Sequence, residues 1–387
     1  MERINIMAKS RKGNDIQKTL SFLVYGDQGT WKSSIGAEAL ALTNPDGSPM
    51  KVLIIDSEFG GIDTALERKA EQYGFNTENA YIIYTESYTE VMSLLDKAKK
   101  NEPFYYYDDE GEEIVEDGQE VKDADGNIFN PDFIVLDGST VIYNASSIAL
   151  TKFSEKRAKV KSKAQNKTAE ETLVAVQGAG LELKDYNKLN KERSQELILK
   201  LISTGKHHYV TAREVDEKKS VKADDGKIQS VPTGKKLPDG FKGMGYNVGT
   251  VLRLFINEVG DVNAYVENKD RTGVFGQNVV IESPSLTMWQ SVIDSNKGKN
   301  KIEMNPSFQE SIEKEYNQEL EDNHLNVNDD DMSIDDYYTL IKEKLSELTK
   351  DKKQLVGNKI KTSGLPMKYE SLTDIEKLKK YVQIVSE

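Results

Sequence analysis

Ser21-Phe-Leu-Val-Tyr-Gly-Asp-Gln-Gly-Thr-Trp-Lys-Ser-Ser34 reads as a short apolar strand, a glycine-bearing turn, a Lys-Ser pair and a helix that continues from Ile35 to Leu42. That order of parts is the layout of a phosphate-binding P-loop. The turn leaves backbone N–H groups free to point inward, and the helix N-terminus adds the positive end of its dipole, so the stretch favours an anion. In this reading Gly26, Asp27, Gln28, Gly29, Thr30, Trp31, Lys32, Ser33 and Ser34 wrap the phosphates. Lys32 reaches the β- and γ-phosphates, and the Ser33 hydroxyl sits on Mg²⁺. The plain alternative is an ordinary strand–turn–helix corner with a chance Lys-Ser.

One position departs from G-x-x-x-x-G-K-[ST]: the residue before the lysine is Trp31 instead of glycine. A glycine there lets the backbone lie close to the phosphates. Trp31 is tolerable if it adopts ordinary dihedrals with its indole pointing outward, so hydrolysis could be slow or lost while binding survives.

Outward from this loop the chain alternates strand and helix. Lys51-Val-Leu-Ile-Ile-Asp56 is a continuous apolar run, as a buried parallel strand requires, and it ends in the carboxylate-bearing loop Asp56-Ser-Glu-Phe-Gly-Gly61. A helix (62–73), a strand (81–84) and a helix (88–100) follow. Residues 103–131 break the alternation with hairpin-like turns at Asp117-Gly118 and Asp125-Gly126, and read as a surface insert. Asp123-Ala-Asp-Gly126 lacks the spacing and terminal Glu of a calcium loop and reads as a turn. Asp132-Phe-Ile-Val-Leu-Asp137 then has the Walker B form, with Asp137 holding Mg²⁺.

Two basic stretches stand out. Residues 152–167 carry seven basic side chains against one glutamate, among them Lys152, Lys156, Arg157, Lys159, Lys161 and Lys163. A helix is expected over 185–203 and a strand over His207–Glu214. Residues 215–240 read as a Lys- and Gly-rich loop with Lys218, Lys219, Lys222, Lys227, Lys235 and Lys236. Each stretch is either a solvated face or a set of phosphate-backbone contacts. Strands at 250–256 and 264–267, a charged turn at 268–273 and a segment to Val292 complete a core of residues 1–292. Residues 293–332 read as an acidic polar linker. Residues 333–387 read as a small helical module, with capping-box spacing at Ser333–Asp336 and Thr373–Glu376 and apolar residues Leu340, Ile341, Leu345, Leu348, Leu372, Ile375, Leu378 and Val382 at helical spacing.

Composition narrows the class. A net charge of −13 argues against a uniformly basic coat, though local basic runs still allow nucleic-acid contact. The absence of cysteine rules out disulfides and thiolate metal sites, and three histidines disfavour a His-rich one. No apolar run approaches membrane-spanning length and the N-terminus lacks a signal-peptide apolar region, so a cytoplasmic protein without membrane association is expected.

Taken in order, Gly26-x-x-Gly-x-x-Lys-Ser33, Ile55-Asp-Ser-Glu-Phe-Gly-Gly61, Val135-Leu-Asp-Gly-Ser139, Asp185-Tyr186, Tyr209-Val-Thr-Ala-Arg-Glu214 and Asn268-Lys-Asp-Arg-Thr-Gly273 resemble the bacteriophage nucleotide-binding proteins of the RecA-like P-loop class, including phage single-strand annealing and recombination ATPases. The resemblance covers roughly residues 18–290. It implies a RecA-like α/β core with a mainly parallel sheet and ATP held between subunits of a homo-oligomer, ring or filament. It implies catalytic roles for Glu58, which orients the attacking water, for Lys32, and for Arg213 in the γ-phosphate-sensing strand tip Thr211-Ala-Arg213. It raises the expectation that the two basic stretches touch single-stranded DNA, and makes Lys242 and Arg271 candidates for reaching a neighbour's γ-phosphate in trans. The helical module lies outside the matched core, with a single-strand binding protein, DNA or another recombination factor as its expected partner. The leading expectation is an ATP-dependent single-stranded-DNA-binding hydrolase of phage recombination or replication. The rivals are a RecA-fold helicase or translocase, and a nucleotide-gated scaffold that binds ATP and hardly hydrolyses it.

Overall fold

The computed structural model describes residues 17–116, 118–222, 228–299, 312, 315–316, 334–347, 356–357, 359–366 and 368–386. The chain divides into two compact units, Met1–Gln309 and Glu310–Glu387. The basic lead-in before residue 17, Asp117, Lys227, most of the expected linker, the Ser333 cap and Leu348 lie outside the described residues.

The first unit is an α/β fold on a mostly parallel sheet. Its strands are β1 (Ser21–Gly26), β2 (Val52–Asp56), β3 (Ala80–Tyr84), β4 (Phe133–Asp137), β5 (His207–Lys222), β6 (Ile228–Pro238), β7 (Thr250–Ile256), β8 (Val262–Asp270) and β9 (Val280–Glu282). They lie in the order β3-β2-β4-β5-β1-β7-β8-β9, and β6 pairs with β5 off this path. β3 through β7 run parallel, and β8 and β9 close the sheet antiparallel.

The run of apolar residues in β2 and β4 has a direct cause, because both faces of these strands are covered. Leu53 and Ile55 point into one core with Ile134, Leu136 and Val210, while Val52 and Ile54 point into the other with Phe133, Val135 and Tyr209. α1 (Lys32–Ala37) and α2 (Asp63–Tyr73) cover the second face, and α3 (Tyr88–Lys100) covers the first. α3 shows how the sequence sets a boundary. The Ser87 side chain accepts from the Glu90 N–H, and Val91, Leu94, Leu95 and Ala98 recur on the buried face. Lys97, Lys99 and Lys100 sit at the negative end, and Asn101 at φ 54° ends the helix.

The insert at 103–131 differs from a surface ornament. Its antiparallel bridges at Tyr105–Glu120, Tyr107–Glu113 and Lys122–Ile128 match the expected hairpins. Phe104, Val121 and Phe129 are buried, however, and the two phenylalanine rings pack edge-on against Tyr81 on β3. These apolar side chains fill core space that β3, at the sheet edge, leaves open. Asp123 accepts from the Asp125 and Asn127 N–H groups, as the turn reading requires.

The basic stretches also take definite shapes. α4 (Ser139–Ala164) starts directly after β4 and carries the 152–163 run on its outer half, packed against α5 (Ala169–Gln177). α6 (Leu183–Asn187), a π-helical stretch (Lys188–Arg193) and α7 (Ser194–Ser203) lead back to the sheet. Among the described residues, 215–222 and 228–238 are strand, not loop. Pairing runs from Glu214–Pro238 to Lys222–Ile228, interrupted by a register shift between Asp216 and Lys218, so β5 and β6 form a two-stranded ribbon. Alternating side chains such as Val215, Val221, Val231 and Leu237 fit a strand, and a composition-based loop reading hides that period.

In the second unit the described residues form helices at Ile334–Glu347 and Ile375–Ser386. Tyr337, Ile341, Ile360, Leu372, Leu378, Tyr381 and Val385 make its core, whereas Ile375 is exposed. Asp374, which accepts from the Glu376 N–H, caps the second helix in place of the expected Thr373. Among the described residues no helix is long and apolar enough to cross a membrane.

Candidate functional site

In a parallel sheet the carboxyl ends of the strands lie along one edge, and ligands gather there. Register brings four such ends together: Gly26 pairs with Arg213, Val24 with Thr211, Leu136 with Val210, and Asp56 with Asp137. The loops leaving these strands enclose a cleft of about 590 Å³. It is lined by Gly26, Asp27, Gln28, Gly29, Trp31, Lys32, Ser33, Ser34, Glu58, Gly61, Arg213 and Glu214.

The loop between β1 and α1 is built by close approach. An added Cβ on Gly26 would meet the Leu254 carbonyl oxygen at 2.5 Å, so no other residue fits beside β7. Thr30, buried, donates its hydroxyl to the Asp27 carbonyl at 2.8 Å, and the Gln28 N–H bonds Asp27 Oδ1 at 2.8 Å. Lys32 Nζ folds into the loop and donates to the carbonyls of Gly26 (3.0 Å) and Asp27 (2.8 Å). Burial pulls the Lys32 ammonium below its ordinary value, while Glu58, Asp137 and Asp27 hold it up. A phosphate would replace those carbonyls with full negative charge.

Trp31 corrects the expectation of ordinary dihedrals. It stands at φ 64°, ψ 24°, the left-handed region, directly before α1. The chain thus keeps the backbone shape that a glycine would give, at the strain a bulky side chain incurs there. Its indole does point outward, 56% exposed, under the Arg68 guanidinium at 5.9 Å. Arg68 also donates to Ser34 Oγ at 3.0 Å. α1 spans only six residues before tightening into a 3₁₀ turn, so anion preference would rest on Lys32 and loop N–H groups more than on a long helix dipole.

The second loop is shaped by Asp56, fully buried, whose two oxygens accept from the N–H groups of Glu58 (2.8 Å) and Gly60 (2.9 Å). Ser57 donates to the Asp137 and Gly138 carbonyls. Glu58 is thereby aimed into the cleft, where its Oε1 accepts from Arg213 Nε (3.1 Å) and Nη2 (3.0 Å). Gly138 makes room for it: a Cβ there would lie 2.7 Å from Glu58 Cγ. The Arg213 N–H bonds Thr140 Oγ1, which donates to the Asp239 carbonyl.

Asp137 is buried at the end of β4. Its Oδ1 accepts from Thr211 at 2.6 Å, and its Oδ2 is buried without a hydrogen bond. Burial pushes its carboxyl up, and the Ser33 and Thr211 hydroxyls beside it oppose that shift. An orphaned buried carboxylate oxygen next to a P-loop serine fits a divalent cation. Among the described residues no group of three or more His, Cys, Asp or Glu could hold a metal unaided. A cation held by one carboxylate, one hydroxyl and substrate oxygens, as Mg²⁺ can be, would fit these two side chains.

The remaining expected residues fall elsewhere. Lys152, Lys156, Lys159, Lys161 and Lys163 are exposed on α4, but Arg157 forks onto Asp185 (3.1 and 2.5 Å), which makes it a fastener between α4 and α6. Lys218, Lys219 and Lys222 are exposed along the ribbon, whereas Lys236 pairs with Asp216 and Glu214 at its root. Arg271 bonds through its N–H to Gly249, at the opposite end of the sheet from the cleft. Lys242 is exposed after β6, and its carbonyl accepts from Ser194. Neither lines the cleft of its own chain. Asp56, Ser57 and Gly138 shape the site from within the stretches quoted for Glu58 and Asp137, without a role of their own in that reading, whereas Arg68 and Thr140 had no local signal.

No protein-family model matches the chain, and no characterised protein resembles it closely enough in sequence to register as a relative.

Proposed function

We propose that this protein is a RecA-like P-loop ATPase that binds single-stranded DNA, as phage recombination and replication proteins do, with ATP controlling its hold on the strand. The observation that carries this reading is the meeting of Lys32, Ser33, Glu58 and Arg213 around one cleft, with Asp137 buried beside the Ser33 hydroxyl, from four strand ends up to 187 residues apart in sequence: residues 26 and 213 sit side by side. Lys32 and the loop N–H groups would hold the phosphates, and Ser33 with Asp137 would hold Mg²⁺, which supplies charge neutralisation when bound. Glu58 would orient the attacking water, and Arg213, already paired to it, would report on the terminal phosphate.

The DNA reading is supported by continuity. β5 runs unbroken from Thr211 and Arg213 at the cleft to Lys218, Lys219 and Lys222 on the ribbon. α4 likewise runs from Ser139, next to Asp137, to the exposed lysines at 152–163. Either element could carry a change at the cleft to side chains suited to phosphates. These lysines sit among few stacking aromatics, Phe153 being one, so binding would be sequence-independent and salt-sensitive.

A second reading has one specific observation in its favour. Trp31 holds a strained backbone, and Lys32 is satisfied by loop carbonyls, which suits a scaffold that binds ATP and turns it over slowly. ATP hydrolysis by the full chain, with and without single-stranded DNA, separates the two. The proposed function predicts DNA-stimulated turnover that Lys32→Ala abolishes. Binding without turnover selects the scaffold, and no binding rejects the P-loop reading.

A further inference from the structure

We infer that Thr211 is a positioning residue that turns the Asp137 carboxylate toward the cation, an inference that rests on the nucleotide-site reading above. Thr211 and Asp137 are both 1% exposed, on the neighbouring strands β5 and β4. The threonine hydroxyl has one proton and two polar neighbours. It accepts from the Gly138 N–H at 2.7 Å and donates to Asp137 Oδ1 at 2.6 Å. With a lone pair taken by the amide, the proton is directed to Oδ1. The carboxylate is then held through Oδ1, and Oδ2, buried without a hydrogen bond, is the oxygen left for a ligand, with the Ser33 hydroxyl beside the carboxyl.

Three details argue for positioning and against incidental packing. The Ser139 hydroxyl donates to the Thr211 carbonyl at 2.6 Å, so the exit of β4 is tied to β5 through Gly138, Asp137 and Ser139 together. The β-branched side chain restricts χ1, which keeps the hydroxyl aimed. Oδ2 is also one of four buried side-chain polar atoms among the described residues that lack a hydrogen bond. A corner in which the Gly138 amide and the Thr211 and Ser139 hydroxyls are bonded and one buried carboxylate oxygen is not has the form of an outer shell oriented around a ligand atom.

Thr211→Val keeps the shape and removes the hydroxyl, while Thr211→Ser keeps the hydroxyl. The test titrates a fluorescent ATP analogue onto the full chain across a range of Mg²⁺ concentrations and, separately, in EDTA. Thr211→Val is expected to raise the Mg²⁺ midpoint about 10- to 100-fold, with binding in EDTA unchanged. Thr211→Ser is expected to return the midpoint to within about threefold of the wild type. With Mn²⁺ in place of Mg²⁺, the electron paramagnetic resonance of the bound ion should change in the valine variant and not in the serine one. Thr211→Cys provides the same comparison should the valine variant not fold. An unchanged Mg²⁺ midpoint in the valine or cysteine variant overturns the inference, as does equal loss of EDTA binding in every variant. A wild-type chain that binds no nucleotide overturns the site reading and this inference with it, and that outcome is distinguishable because it appears before any substitution.

Discussion

β5 is one strand in two environments. From His208 to Ala212 it is buried, paired with β1 throughout and with β4 as far as Val210, and from Glu214 to Lys222 it leaves the sheet and is largely exposed, paired only with β6. In the first half packing and register set the side chains, and Thr211 bonds Gly138 and Asp137 at 2.7 and 2.6 Å. In the second half the backbone is fixed but the lysines are not. Geometry needed for chemistry sits where packing sets it, and charge needed for a long flexible ligand sits where packing releases it.

The largest effect that would sharpen this contrast lies at the cleft. Glu58→Gln should lower ATP turnover about 10²- to 10⁴-fold while nucleotide binding persists. Its ion pair with Arg213 is partly exposed, and such pairs contribute about 0–1 kcal/mol, so thermal stability should hardly move. Equal losses in turnover and binding would mean that Glu58 shapes the pocket instead of acting on water.

The buried half of β5 makes a second prediction. His208 is fully buried, and burial pulls its pKa down to about 4 from an ordinary 6.5. The folded chain keeps it neutral where the unfolded chain takes up a proton. Stability is therefore unaffected above pH 6.5 and falls as pH drops toward 4, by roughly 3 kcal/mol in all. Urea unfolding between pH 4 and 7 should show this slope, and His208→Gln should flatten it. A slope that persists in the variant assigns the acid sensitivity to other groups.

The smallest effect concerns Trp31. Relief of left-handed strain is worth about 1–2 kcal/mol. It is offset by the lost contact with Arg68, about 0.5–1 kcal/mol, and by the looser unfolded chain of a glycine, about 0.4–1 kcal/mol. Trp31→Gly should thus change stability by less than about 1 kcal/mol. Because the tryptophan already has the glycine-like backbone, ATP affinity should stay within about threefold of the wild type. A gain of tenfold or more would show that the indole itself keeps phosphates away.

The same contrast explains what the sequence made legible. β1, β2 and β4 were readable because strands buried on both faces need unbroken apolar runs, and each ends in a residue that shapes the cleft or lies beside it: Gly26, Asp56 and Asp137. Lys32 and Ser33 followed from local spacing, and Glu58 from what the family resemblance implies. The Arg213–Glu58 pair, the Thr211–Asp137 bond and the role of Gly138 depend on which strands become neighbours, and no local pattern carries that. The ribbon was hidden because its Lys and Gly content resembles a loop, although Val215, Val221, Val231 and Leu237 keep strand periodicity. Arg157 looked equivalent to the lysines around it until Asp185, 28 residues away, claimed it. The insert at 103–131 hid its anchors, Phe104, Val121 and Phe129, among acidic turn residues.

The most direct test of the account is the affinity of the full chain for a fluorescent single-stranded oligonucleotide, measured by anisotropy with and without ATP and Mg²⁺. A cleft and a ribbon joined by one strand predict that ATP shifts this affinity at least severalfold in the wild type and leaves Lys32→Ala unchanged. Equal affinity with and without ATP in the wild type would contradict the account, because the two ends of β5 would then work independently.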